Sequence, residues 1–222
     1  MNVFGMFLKQ PVPGKVKTRL ASSVGDDMAA RLYEAFVADL ADRFRNVGDR
    51  RVLCFAPNDE QGRNFANSLA GVDYQVWPQP DDSLDERMRA FFSQAQDVGG
   101  QRVVLIGSDS PSLPHDNIEE AFMRLETHDC VLGPATDGGY YLIGMRGVLQ
   151  RVFDGVDWST ARVLAQTVEQ ISREGARLSL LPPWYDVDTA EDLDLLRGHV
   201  AAMQLTGESV GLDRTELLFG EL

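Results

Sequence analysis

Apolar residues along this chain fall into short, nearly continuous runs separated by stretches of helical period. Runs of strand length occur at 3–8, 51–56, 74–77, 102–107, 130–133, 140–145 and 177–181. Most are continuous rather than alternating, which is the pattern of strands covered on both faces. Between them, apolar positions recur with helical spacing over 26–46, 60–69, 83–96, 114–126, 159–174 and 190–203. Strand and helix alternate, which predicts an α/β fold with a mostly parallel central sheet. Ser83 with Glu86, and Asp188 with Glu191, have the spacing of capping boxes and are expected to start two helices. No repeat or linker divides the chain. One domain over 1–204 is expected, with 205–222 as a C-terminal arm or packing extension.

Composition narrows the classes of partner. The 222 residues are 44% hydrophobic, enough for one well-packed core, and the formal net charge is −13. Such an acidic chain has no general means of replacing the counterions of nucleic acid or of an anionic membrane, so neither is an expected partner. Cys54 and Cys130 lie inside apolar runs and read as buried free thiols. The three histidines are scattered and no paired-cysteine spacing exists, which argues against zinc. The opening apolar stretch is too short to span a bilayer and lacks a basic flank, so it reads as a first strand and a cytoplasmic location is expected.

Charge distribution supplies the first chemical signal. All three lysines, Lys9, Lys15 and Lys17, fall within nine residues of LKQPVPGKVKTRLA, while the other cations are eighteen dispersed arginines. The segment follows the first strand, at the sheet edge where open α/β folds bind ligands. Pro11, Pro13 and Gly14 stiffen and bend it, so Lys9, Gly14, Lys15, Lys17, Thr18 and Arg19 become candidates for holding a polyphosphate. A solvated basic turn is the plainer reading. A Walker loop does not fit, because Val16 stands where Ser or Thr belongs, and no GxGxxG follows the strand.

Carboxylates at later strand ends complete a candidate centre. In RVVLIGSDSPSLP a buried strand runs into Ser108 and Asp109, which brings both to the same edge as the basic loop. Asp109 is the first candidate ligand for Mg²⁺ or Mn²⁺, metals that take one or two carboxylates plus phosphate oxygens; capping a turn is the other role open to it. Asp186 and Asp188 alternate along WYDVDTAEDL and share one face, so they are further metal candidates, although Asp188 also suits an N-cap. In LGPATDGGYYLIGM, the segment Asp137, Gly138, Gly139 and Tyr140 reads either as an acceptor pocket or as a hairpin turn. Trp158 is either a wall of that pocket or a packing anchor.

The motifs FLKQPVPGKVKTRLA, IGSDSPSLP, LGPATDGGYYLIGM and WYDVDTAEDL together resemble the bacterial glycosyltransferase-like proteins related to 2-phospho-L-lactate guanylyltransferase. That family lies within the nucleotide-diphospho-sugar transferase superfamily, and the resemblance spans residues 1–197. It implies a GT-A-like (Rossmann-like) three-layer sandwich, with Lys17, Thr18 and Arg19 at phosphate, and Asp109 and Asp188 at the metal. The glycine-rich opening of many nucleotidyltransferases is replaced here by the proline-containing lysine loop. Three activities follow as expectations. The first is nucleotidyl transfer from a nucleoside triphosphate to a small phosphorylated acceptor, with Lys17, Arg19 and Asp109 at the reacting phosphates. The second is glycosyl transfer from a nucleotide sugar, with Asp137 acting on the acceptor. The third is nucleotide binding without turnover. A homodimer is an expectation resting on resemblance alone.

Overall fold

The continuous apolar runs assemble into one sheet because each can be covered on both faces. In the computed structural model, which describes every residue except Val148, Gln150, Ser209 and Val210, the strands are β1 (Asn2–Lys9), β2 (Arg50–Ala56), β3 (Gln75–Pro78), β4 (Arg102–Ile106), β5 (Cys130–Pro134), β6 (Tyr140–Arg146) and β7 (Leu178–Leu180). Their order is β3-β2-β1-β4-β6-β5-β7. β6 pairs antiparallel with both β4 and β5, and the other pairings are parallel. The mostly parallel expectation holds, with β6 as its exception. The hairpin that turns β5 into β6 passes through Asp137, Gly138 and Gly139, so the DGG segment is a hairpin turn.

The helices are α1 (Thr18–Val24), α2 (Asp26–Arg43), α3 (Glu60–Ala70), α4 (Leu84–Asp97), α5 (His115–Arg124), α6 (Val163–Arg173), α7 (Ala190–Thr206) and α8 (Asp213–Phe219). One core layer joins Phe4, Met6 and Leu8 of β1 to Val37 and Leu40 of α2 and to Ile118 of α5. The opposite layer joins Val3, Val52, Val103 and Ile143 to Phe91 and Phe92 of α4 and Ile171 of α6. This is a three-layer α/β sandwich. A third cluster packs Leu20, Leu32 and Phe36 against Leu193, Leu196 and Leu212. Both cysteines are free and buried, and among the described residues no helix is long and apolar enough to cross a membrane.

Several boundaries differ from the sequence expectation, each for a local reason. α1 is a separate short helix because Gly25, at φ 85°, interrupts the run into α2. α6 begins at Val163 rather than 159, since Ser159 lies at φ 61° and Thr160 Oγ1 bonds back to the Asp157 carbonyl. Ser83 caps α4 without a side-chain bond, so the expected box with Glu86 does not form. At α7 the cap is Thr189, in a box with Asp192, rather than Asp188 with Glu191. α8 was not expected; buried Asp39 of α2 holds it by accepting bonds from Thr215 N at 3.0 Å and Thr215 Oγ1 at 2.8 Å. The 205–222 segment, whose Ser209 and Val210 lie outside the described residues, thus packs on α2 through α8.

Candidate functional site

The carboxyl ends of β1 and β4, with the β5–β6 hairpin and the segment before α7, surround a cleft of about 1020 Å³. Its basic wall is the loop after β1. Val12 to Lys15 form a tight turn closed by a 2.9 Å bond from Lys15 N to the Val12 carbonyl, with Gly14 supplying the φ of +75° that the turn requires. Lys9, Lys15, Thr18 and Arg19 line the cleft as exposed or half-exposed residues.

Lys17 behaves differently from the other two lysines. Its side chain is 2% exposed, and its ammonium donates to Asp109 Oδ1 and, at 2.8 Å, to Asp188 Oδ1. Burial opposes the charge, but the two carboxylates outweigh it and hold the ammonium above the usual lysine range. The backbone at Lys17 is left-handed, φ 46° and ψ 42°, a conformation costing a non-glycine residue roughly 1 kcal/mol. The Arg19 guanidinium, 71% exposed, stands 3.9 Å from Asp188 Oδ2.

Asp109 and Asp188 meet because their segments are joined by backbone. Val187 N donates to the Asp109 carbonyl at 2.8 Å, and Val187 itself is fully buried between Asp186 and Asp188. The shift of the α7 cap to Thr189 leaves the Asp188 carboxylate for Lys17. Asp186 also faces the cleft, yet its Oδ1 accepts from Ser110 Oγ rather than from Lys17. Burial, with the nearby charges of Asp109 and Asp137, raises its carboxyl to about 6 despite that bond. The turn beyond Asp109 is anchored by Arg43, which donates to the carbonyls of Pro111 at 2.6 Å and Leu113 at 2.9 Å.

Among the other expected site residues, Asp137, Gly139, Tyr140 and Trp158 line the cleft. Asp137 Oδ1 accepts from Gly139 N at 2.8 Å, and Gly138 sits at φ 92° against the Ala161 backbone, so both shape the turn. The Tyr140 and Trp158 rings meet edge to face at 6.5 Å. Ser108 is brought to the cleft, but its buried hydroxyl is engaged with Tyr33 Oη at 2.8 Å.

Two contributors escaped sequence reasoning. Tyr33 of α2 accepts from Lys9 N at 2.9 Å and bonds Ser108, tying the ends of β1 and β4 together; nothing in an ordinary helical pattern marks it. Gln79, just past β3, lines the cleft with its amide pinned, Nε2 donating to the carbonyls of Cys54 at 2.7 Å and Leu8 at 3.4 Å. A buried glutamine after a strand is visible only once β1, β2 and β3 lie side by side.

This sheet order, with a cleft across the strand ends, is the nucleotide-diphospho-sugar transferase fold. The chain is similar over 99% of its length to a solved structure from Desulfovibrio desulfuricans described as a nucleotide-diphospho-sugar transferase, with 36% identity, TM-score 0.88 and 97% of that chain covered. A cytidylyltransferase from Leptospira borgpetersenii shares the fold at 12% identity, with TM-score 0.59, covering 99% of this chain and 94% of that one. The chain belongs to the family described as an uncharacterized protein conserved in bacteria (DUF2064), whose model matches residues 39–160. It is also 32% identical over 135 residues to 3-phospho-D-glycerate guanylyltransferase from Phenylobacterium zucineum. That match takes in 59% of this chain and 61% of the relative's length.

Proposed function

We propose that this protein is a metal-dependent nucleotidyltransferase that moves a nucleotidyl group, guanylyl by preference, from a nucleoside triphosphate to a small phosphorylated acid. The observation that carries this reading is the convergence of Asp109 and Asp188 on one cation at the mouth of a cleft that also bears Lys9, Lys15 and Arg19. The pair suits Mg²⁺ or Mn²⁺: two hard carboxylates already share a positive charge, and the remaining positions of a shell are left to phosphate oxygens and water. Among the described residues no group of three or more His, Cys, Asp or Glu is placed to hold a metal, so this reading rests on the two aspartates with phosphate oxygens and water completing the shell. A divalent cation held by Asp109 and Asp188 would neutralise charge on the phosphate oxygens.

In the transfer, an oxygen of the acceptor's phosphate bonds to the α-phosphorus. The α–β bridging bond breaks, and its electron pair leaves with pyrophosphate. An acceptor phosphate arrives ionised at neutral pH, so no protein base is needed. Lys9, Lys15 and Arg19 offset the charge that builds on the leaving pyrophosphate. The hairpin turn at Asp137 and Gly139, with Tyr140 and Trp158, borders the acceptor half. The nucleoside half falls toward β3, roughly 10 Å from β1 at the usual strand spacing. There Gln79 Oε1 accepts no bond from the described residues, and Nε2 cannot exchange places with it without setting oxygen against two carbonyls. A fixed acceptor selects a base edge that donates, and guanine offers adjacent N1–H and 2-amino donors. The name of the Phenylobacterium zucineum relative points to the same base.

Glycosyl transfer from a nucleotide sugar is the second reading, favoured by the description of the Desulfovibrio desulfuricans relative at 36% identity. One assay separates the two. The protein is incubated with Mg²⁺ or Mn²⁺ and each nucleoside triphosphate plus 3-phosphoglycerate and related acids, and in parallel with nucleotide sugars. Acceptor-dependent pyrophosphate supports nucleotidyl transfer; free nucleoside diphosphate from a nucleotide sugar, without pyrophosphate in the first arm, overturns it.

A further inference from the structure

We propose that Lys17 is a tethered stand-in for the divalent cation, whose ammonium a polyphosphate draws away as the two-aspartate site takes up metal; this rests on the metal reading above. Lys17 sits apart from its neighbours in the basic loop. Lys9 and Lys15 reach into the cleft, whereas the Lys17 side chain is buried and its Nζ lies between one oxygen of Asp109 and one of Asp188. Its backbone is held in the left-handed region while it does so. The Tyr33 ring lies under the ammonium, 5.9 Å from centroid to Nζ, and closes that side of the pocket.

Two cations cannot share this position. An ammonium nitrogen 2.8 Å from a carboxylate oxygen occupies nearly the point a metal takes at about 2.1 Å from the same oxygens, and like charges so close repel strongly at any protein dielectric. Because Lys17 is attached to the chain, its effective concentration at the carboxylates is far above that of free Mg²⁺ or Mn²⁺. Metal alone must therefore displace an intramolecular ion pair with no new partner for the ammonium. Metal with a polyphosphate meets a smaller obstacle, because the phosphates lying along Lys15 and Arg19 offer Lys17 an anionic partner outside the carboxylates. Metal and polyphosphate then bind with positive coupling, and by linkage each raises the affinity of the other. The free protein keeps its acidic pair neutralised and takes up metal more tightly with the substrate that uses it.

The test reads metal binding rather than turnover. Full-length protein without nucleotide is titrated with Mn²⁺, and free metal is followed by electron paramagnetic resonance. Lys17→Met is expected to bind Mn²⁺ about tenfold or more tighter than the wild type; equal or weaker binding overturns the proposal. Should that variant not fold, the wild-type chain carries the test, because Lys9, Lys15 and Lys17 are its only lysines and acetylation read by mass spectrometry reports each one. Lys17 is expected to be protected in the free protein and to gain reactivity relative to Lys9 and Lys15 when Mn²⁺ alone is bound. Unchanged protection under bound Mn²⁺ overturns the proposal. The metal reading fails by a different result: wild type and the Asp109→Asn/Asp188→Asn double variant binding Mn²⁺ alike in the presence of inorganic triphosphate. If the double variant loses Mn²⁺ and Lys17→Met gains none, the metal site stands and the stand-in role falls.

Discussion

Removing one hydroxyl should weaken the seam that holds the two halves of the site together. Tyr33 Oη accepts from Lys9 N at 2.9 Å and pairs with Ser108 Oγ at 2.8 Å, with both side chains buried. Tyr33→Phe keeps the ring and leaves an amide and a hydroxyl without a partner. Each unsatisfied buried group costs roughly 1–3 kcal/mol, and water can reach the half-buried Lys9 amide, so a loss of about 2–4 kcal/mol is expected. Against a total stability of about 5–15 kcal/mol, that shift is readily seen in the midpoint of urea unfolding at unchanged slope. Ser108→Ala should cost less, and the double variant should fall short of the sum by about 1 kcal/mol or more, since both changes break the same bond. Burial, then the charge of Asp109, pushes the Tyr33 phenol up to about 12, so the effect should be constant between about pH 6 and pH 9. A loss below about 0.5 kcal/mol, or full additivity with Ser108→Ala, would refute this account of the seam.

Three further outcomes are expected. Asp109→Asn should abolish metal-dependent nucleotide binding by calorimetry, and unchanged affinity would remove Asp109 from the metal shell. Asp186 has a carboxyl raised to about 6 in the folded chain, against an ordinary value near 4. The folded state therefore binds the extra proton between those values, and stability falls as pH rises through that window. Asp186→Asn should accordingly raise stability above about pH 6, by on the order of 1–2 kcal/mol, with the gain vanishing near pH 4 in unfolding curves; a gain equal at both ends of the range would contradict it. At the base end, Gln79→Met should narrow the preference for GTP over ATP by roughly tenfold, a two-bond contact to a base edge being worth about 1–3 kcal/mol; an unchanged ratio in competitive binding would free Gln79 of that role.

The chain's pattern alone determined an α/β fold with a mostly parallel sheet. Continuous apolar runs require cover on both faces, helical runs between them supply it, and every expected strand and helix is found, with shifts only at their ends. The lysine cluster and the aspartates at strand ends were equally legible, because an acidic chain with three lysines in nine residues has concentrated its exceptions in one place. Helix caps were less so. Asp188 and Thr189 both suit an N-cap, and the choice of Thr189 depends on Asp192 reaching back to it and on Asp188 being drawn to Lys17.

What only the tertiary structure decided is which charges meet. From charge and spacing alone, Lys15, Lys17 and Arg19 are similar cations on one loop, and Asp186 and Asp188 are carboxylates on one face, with only family resemblance setting Lys17, Arg19 and Asp188 apart. Folding separates them: Lys17 is buried between Asp109 and Asp188, Asp186 turns to Ser110, and Lys15 and Arg19 stay at the cleft. Periodicity registers whether a side chain points in or out, but an ion pair depends on distances of a few ångströms between segments far apart in the chain. Those distances are set by the sheet order, by the bond from Val187 N to the Asp109 carbonyl, and by the Tyr33 link between β1 and β4.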